Sequence, residues 1–189
     1  MSLRVVFLGP PGAGKGTQAR ALAAERGVAH IATGDMLREA IAAGTPLGMQ
    51  AKGYYDRGEL VPDSLVIGML GERLQGGDTT HGFILDGFPR TLAQAEALER
   101  LLKDLGQDLD RVVFFDVPDP ELLRRVRARR QIEGRADDAD EAITNRLRVY
   151  AAQTAPLLDY YRNRSLLVSI AGVGTIDAIG GAVRQALGR

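Results

Sequence analysis

One stretch limits what this chain can fold into more than any other: Gly9-Pro10-Pro11-Gly12-Ala13-Gly14-Lys15-Gly16-Thr17, set directly after an apolar run. Its spacing, G-x4-G-K, is that of a phosphate-binding loop. The run before it, Leu3-Arg4-Val5-Val6-Phe7-Leu8, is β-branched and apolar and reads as a buried parallel strand. Gly14 to Arg26 reads as the following helix, ended by Gly27. Each part has a physical use. The glycines let the backbone curl so that several N–H groups converge on an anion. The helix aims its positive end at the same place. Lys15 supplies a compact, mobile charge that an arginine fork would not copy. The loop departs from the strict pattern at one point: Gly16 stands where a hydroxyl residue usually follows the lysine, and the hydroxyl comes one place later, at Thr17.

Further on, strand and helix signals alternate. Short strands are expected over residues 29–32, 82–86, 111–116 and 166–170. Helices are expected over 34–43, 47–57, from Asp63 as a cap to Leu74, over 91–105, from Pro118 to about Arg130, over 138–162 with a bend at Pro156, and over 176–187. This alternation implies an α/β fold: a three-layer sandwich with a central five-stranded parallel sheet flanked by helices. The 189 residues suit one domain with small inserts and bury a sizeable core without staples.

Composition narrows the function. The 24 cationic side chains balance 24 anionic ones, which argues against a dedicated nucleic-acid binder or a polybasic membrane anchor. No apolar run approaches membrane-spanning length, and the segment before Gly9 is too short for a signal sequence, so a mature cytoplasmic chain is expected. The absence of cysteine excludes disulfides and cysteine-ligated zinc. Only three cations are lysines, Lys15, Lys52 and Lys103, which makes a lysine inside the glycine loop notable.

Two other strands end in an acid, Asp86 and Asp116, and ligands of open α/β sheets sit beyond the carboxyl ends of strands. Asp86 is the favoured magnesium candidate, through water, because Gly87-Phe88-Pro89-Arg90 follows it and Arg90 can fork onto a phosphate. Asp116 reads equally well as a turn or capping residue. A basic helix carries Arg124, Arg125, Arg127, Arg129 and Arg130, with Arg125 and Arg129 on one face and Glu121 placed to pair with Arg125. Arg135 follows a Glu133-Gly134 turn, and Arg146 lies on the next helix, so an anion between these helices would meet several guanidiniums.

Taken together, these motifs resemble the adenylate kinase family. The resemblance is carried by Gly9 to Thr17 followed by Gln18, by Thr33-Gly34-Asp35-Met36-Leu37-Arg38, by Asp86-Gly87-Phe88-Pro89-Arg90-Thr91 with Gln94, by Gly134-Arg135-Ala136-Asp137-Asp138, and by Gly172-Val173-Gly174-Thr175. It spans nearly the whole chain, in order. It implies reversible transfer of a phosphoryl group between MgATP and AMP to give two ADP. On that resemblance Gly12, Ala13, Gly14, Lys15, Gly16, Thr17, Arg129 and Gly174 would hold ATP. Thr33, Arg38, Glu59, Leu60, Val61, Gly87, Phe88, Pro89, Arg90, Gln94, Arg135 and Arg146 would form the AMP site. Lys15, Arg90, Arg129, Arg135 and Arg146 would stabilise the transferred group. It implies an AMP-binding insert over 32–61 and a lid over 130–139. Only five residues separate Arg129 from Arg135, so the lid resembles the short type without zinc.

The acceptor in such a reaction is an ionised phosphate oxygen, which needs no general base, and both histidines, His30 and His81, lie outside the motifs and read as structural. A sister resemblance, to UMP/CMP kinases, fits less well, because Thr33 before Gly34-Asp35 and Gln94 after Arg90 look more like the AMP type. A monomer with Mg2+, ATP, AMP and ADP as its ligands, and no nucleic-acid or membrane partner, is expected.

Overall fold

The structure, a computed structural model, describes residues 2–134 and 140–188. Among these, five strands form one parallel sheet: β1 (Leu3–Leu8), β2 (Ala29–Ala32), β3 (Gly82–Asp86), β4 (Arg111–Asp116) and β5 (Leu167–Ala171), in the order β2-β3-β1-β4-β5. Strand β1 lies in the middle, with Val5 opposite Ile84 of β3 on one side and Arg111 of β4 on the other. From β1 the chain crosses to the edge strand β2 and returns to β3 beside β1, and later winds to the other side through β4 and β5. The crevice at the carboxyl end of β1 is therefore the point where the topology reverses, which is where such sheets place their ligands.

Alternation along each strand divides the core into two layers. Val6 and Leu8 join Phe83, Leu85 and Val112 on one face. There they meet α4 (Asp63–Leu74), α5 (Leu92–Asp104) and α8 (Leu157–Arg162), through Leu70, Leu98 and Leu157. Val5 and Phe7 join Ile84, Val113 and Phe115 on the other. That face is covered by α1 (Lys15–Arg26), α6 (Asp119–Glu133) and α9 (Ile176–Ala186), through Leu22, Leu122 and Val183. Both faces of the sheet are thus buried, as its nearly uninterrupted apolar strands require.

Two helices, α2 (Thr33–Ala42) and α3 (Pro46–Asp56), project from the end of β2 and pack on each other. A Cβ at Gly48 would fall 2.0 Å from the Ala40 carbonyl oxygen, so only glycine lets these two backbones approach so closely. Threonine side chains cap three helices: Thr45, Thr91 and Thr175 accept the N–H groups of Gly48, Gln94 and Ala178.

Several details differ from the sequence reading. Asp63 does not cap α4; it is the first helical residue, and its carboxylate instead accepts the Thr91 hydroxyl at 3.0 Å and the Gln94 amide at 2.7 Å. Two bonds to a half-buried carboxylate outweigh the single bond a cap would make. Helix α6 runs past Arg130 to Glu133, ended by Gly134 in the left-handed region. The helix expected over 138–162 is interrupted: α7 (Asp140–Val149) gives way to a π-turn over Tyr150–Thr154, and α8 resumes after Pro156. Pro156 has no N–H to donate, and the preceding Ala155 N–H reaches back five residues to the Tyr150 carbonyl at 2.9 Å. Residues 138 and 139 lie outside the described residues. The last strand is displaced by one residue, because the N–H of Gly172 bonds the Asp116 carbonyl and holds β5 to its end.

Leu98 is fully buried in the layer beneath α5. Leu98→Ala should lower the unfolding free energy measured by chemical denaturation by about 2–5 kcal/mol. A loss under about 1 kcal/mol would mean that α5 is not packed as described.

Candidate active site

The loop after β1 wraps over the amino end of α1. Gly12 and Gly14 take positive φ angles of 85° and 89°. A Cβ on Gly12 would meet the Leu122 carbonyl oxygen at 2.9 Å and Val126 Cγ2 at 2.8 Å, so the loop is seated against α6. The residue before α1 is Gly14, which provides no side-chain cap, and the first-turn residues Lys15, Gly16 and Thr17 line the cleft. Lys15 folds back under the loop and its Nζ donates to the Gly9 carbonyl at 2.8 Å and the Pro10 carbonyl at 3.0 Å. Lys15 as a whole is only part-buried, but its ammonium is enclosed. That burial pushes its pKa down to about 8; Asp86 opposes the shift, and Arg90, Arg146 and Arg129 add to it.

Gly16 has a local explanation. A Cβ there would lie 3.1 Å from Asp86 Oδ2, so a serine or threonine directly after the lysine would press on this carboxylate. The hydroxyl is displaced to Thr17, which is exposed and lines the same cleft. Asp86 also lines it, whereas Asp116 stands exposed at the end of β4. Among the described residues no cluster of three or more His, Cys, Asp or Glu side chains could hold a metal by itself. One carboxylate and one hydroxyl beside a phosphate loop fit a hard cation that arrives with the nucleotide's own oxygens, not one caged by protein.

Opposite the loop, one continuous cleft of about 440 Å³ brings together Lys15, Asp86, Arg38, Arg90, Arg129 and Arg146. Arg90 is pinned by two bonds: its Nε donates to the Gly87 carbonyl at 2.8 Å, and its backbone N–H to Gln94 Oε1 at 2.7 Å. Gly87, with φ of 84°, must be glycine, since a Cβ would sit 2.9 Å from Thr33 Oγ1 and 3.2 Å from Arg90 Nη2. The Phe88–Pro89 peptide is cis, with Phe88 buried in the core and Pro89 at the cleft wall. Thr154, in the π-turn, donates to the Arg90 carbonyl at 2.8 Å, so this helical irregularity supports the arginine turn.

Other expected site residues are less central. Leu60 lines the cleft, Val61 belongs to the core, and exposed Glu59 pairs with Arg57 at 2.8 Å. Thr33 is buried beside the Asp86 backbone, its hydroxyl 3.5 Å from that carbonyl. Gln94 is 2% exposed; it does not line the cleft, and its amide already serves Arg90 and Asp63. One amide hydrogen and one carbonyl lone pair remain on it. Gly174 lies in the exposed loop between β5 and α9. Arg135 and the second half of the expected lid, residues 135–139, lie outside the described residues.

Three residues take roles that the sequence reading did not assign them. Asp63 orients Gln94, a pairing between distant segments that leaves no trace in spacing. His30 Nε2 lies 4.0 Å from Asp86 Oδ2, without a hydrogen-bond partner. Burial lowers its pKa against the pull of Asp86, so it stands beside the carboxylate as a neutral ring at neutral pH. Arg125 is more than a surface charge: held by Glu121 at 2.6 Å, it donates to the Gly172 carbonyl at 2.9 Å and the Ala13 carbonyl at 3.4 Å, tying the phosphate loop to the loop before α9. The four-residue spacing from Glu121 was the only signal for it.

Comparison with known proteins adds an independent result. A sequence profile described as "Adenylate kinase" matches residues 7–166. The chain is 51% identical over 185 residues to an adenylate kinase of Stenotrophomonas maltophilia, covering 98% of this chain and 99% of that one. It is 49% identical over 187 residues to one from Xanthomonas campestris, with 99% and 100% covered. A third, from Thermodesulfovibrio yellowstonii, is 48% identical over an alignment of 204 positions including gaps, with 94% and 95% covered. With a family profile matched over residues 7–166 and relatives matched over nearly its full length, the chain belongs to the adenylate kinase family.

Proposed function

We propose that the chain catalyses reversible transfer of the terminal phosphoryl group of MgATP to AMP, giving two ADP, and so keeps adenine nucleotides in balance. The observation that carries this reading is the single cleft in which a phosphate loop with an enclosed lysine faces guanidiniums from three separate segments, Arg90, Arg129 and Arg146. Two polyanions brought end to end need such a surround, because their mutual repulsion must be offset at the point of contact.

In this reading residues 12–17, Arg129 and the backbone near Gly174 hold ATP. Thr33, Arg38, residues 59–61, residues 87–90 and Gln94 form the AMP site, with Arg135 and Arg146 at the junction. An AMP phosphate oxygen attacks the γ-phosphorus of ATP, the bond from that phosphorus to the β–γ bridging oxygen breaks, and ADP is the leaving group. The attacking oxygen is already ionised, so no side chain has to remove a proton. Lys15 and the arginines offset charge on the moving group, and the N–H groups at the start of α1 hold the β-phosphate. A magnesium ion, held through water by Asp86 and near Thr17, would supply further neutralisation of the ATP phosphates. Two segments, 32–61 and 130–139, close over the substrates and exclude water that would otherwise hydrolyse ATP. The enzyme is proposed to work in the cytoplasm as a monomer. Among the described residues no helix is long and apolar enough to cross a membrane.

A coupled assay of MgATP against AMP, CMP, UMP and GMP in parallel tests the reading. AMP should be the preferred acceptor; preference for a pyrimidine monophosphate, or no transfer to any, would overturn it. Lys15→Met should cut turnover by at least about a hundredfold, the scale of one preorganised electrostatic group. Near-normal turnover in that variant would remove Lys15 from the mechanism.

A further inference from the structure

Arg38 lines the cleft from the second turn of α2, and its guanidinium is held from two sides. Its Nη2 donates to the Asp35 carboxylate one turn earlier, and its Nη1 donates to the hydroxyl of Tyr55 at 2.5 Å. Tyr55 comes from the last turn of α3; its ring is partly buried against the core, with the Arg38 Cζ 5.9 Å from the ring centroid. Tyr55 itself is not part of the cleft wall.

The two partners differ in what they do to an incoming phosphate. Asp35 fixes the guanidinium but offsets its charge and competes with any anion for it. The Tyr55 hydroxyl is neutral. It accepts one N–H from Arg38 without adding to the charge offset that Asp35 imposes. An arginine released from other contacts loses rotamer freedom when it binds, which weakens binding; one already held does not.

We propose that Tyr55 is a positioning residue for the nucleoside monophosphate: by holding Arg38 from α3, it presets the guanidinium for the phosphate group without spending its charge. The proposal rests on the reading of Arg38 as part of the AMP site. It also gives the close packing of α3 on α2, enforced at Gly48, a consequence for binding.

The test compares the unmodified chain with Tyr55→Phe, Arg38→Ala and the double variant, measuring kcat together with calorimetric Kd values for AMP, CMP and ATP. Tyr55→Phe keeps the ring and its packing and loses only the hydroxyl. It should raise the Kd for AMP about three- to tenfold, the effect of one hydrogen bond to a charged group at a half-exposed site. The Kd for CMP should rise by a similar factor, because the phosphate is common to both, while kcat and the Kd for ATP stay within about twofold. In the Arg38→Ala background, Tyr55→Phe should add nothing. An unchanged AMP Kd in Tyr55→Phe, alongside a clear loss in Arg38→Ala, overturns the proposal alone. A parallel rise in the ATP Kd would make Tyr55 merely structural, and a further loss in the Arg38→Ala background would make it a direct ligand; either result also overturns it. An unchanged AMP Kd in Arg38→Ala sinks the underlying AMP-site reading as well.

Discussion

The enclosed ammonium of Lys15 is the contact on which the rest of the site depends. It sits part-buried beneath the glycine loop, bonded to two backbone carbonyls, while arginines on neighbouring segments weigh against its charge. A cation in such surroundings is poorly solvated, and it gains most from an anion that comes to it. The loop must curl for this to occur, so Gly12 and Gly14 take left-handed angles; β1 must be central, so that the loop opens at the reversal of the sheet. The two apolar layers fix that strand, and through it the position of the lysine.

Around this point the fold assembles positive charge from elements far apart in sequence. Arg90 follows β3 and is locked by Gly87, Gln94 and, through its carbonyl, the π-turn at Thr154. Arg129 rides on α6 and Arg146 on α7. Arg125, on the same helix as Arg129 and lining the same cleft, braces the phosphate loop against the loop before α9. The site is therefore a set of braced cations, in which a polar residue such as Asp63 acts through others. Preorganisation of this kind lets electrostatic stabilisation operate without rearrangement during the reaction.

What could be read from the sequence was whatever is local. The run Leu3–Leu8, the glycine loop and the helix start are consecutive, and each restricts the next, so β1 and α1 fall where expected. The parallel order of the sheet follows from the same alternation of elements. What could not be read depends on contacts across the fold. Asp63 looks like a helix cap because it precedes an apolar helix, yet its partners, Thr91 and Gln94, lie on another segment. His30 meets Asp86 only because β2 pairs with β3. Proline at position 156 announces a break, but that the break becomes a π-turn supporting Arg90 depends on where the neighbouring loop runs. Gly16, an oddity in the motif, is explained once Asp86 is seen 3.1 Å from where its Cβ would be.

The most direct measurement of this account is a pH titration of the Lys15 amine by NMR with isotope-labelled lysine, assigned by its loss in Lys15→Met and performed with and without MgATP. Burial favours the neutral amine, so the ligand-free protein should titrate near pH 8 instead of the usual 10.5, with the ammonium fully present below about pH 7 and lost as the pH rises through 8. Bound phosphates favour the charged form and should raise that midpoint by at least one unit, holding the proton on Lys15 into the alkaline range. A ligand-free midpoint at the ordinary lysine value, unmoved by MgATP, would contradict the claim that an enclosed cation organises this site.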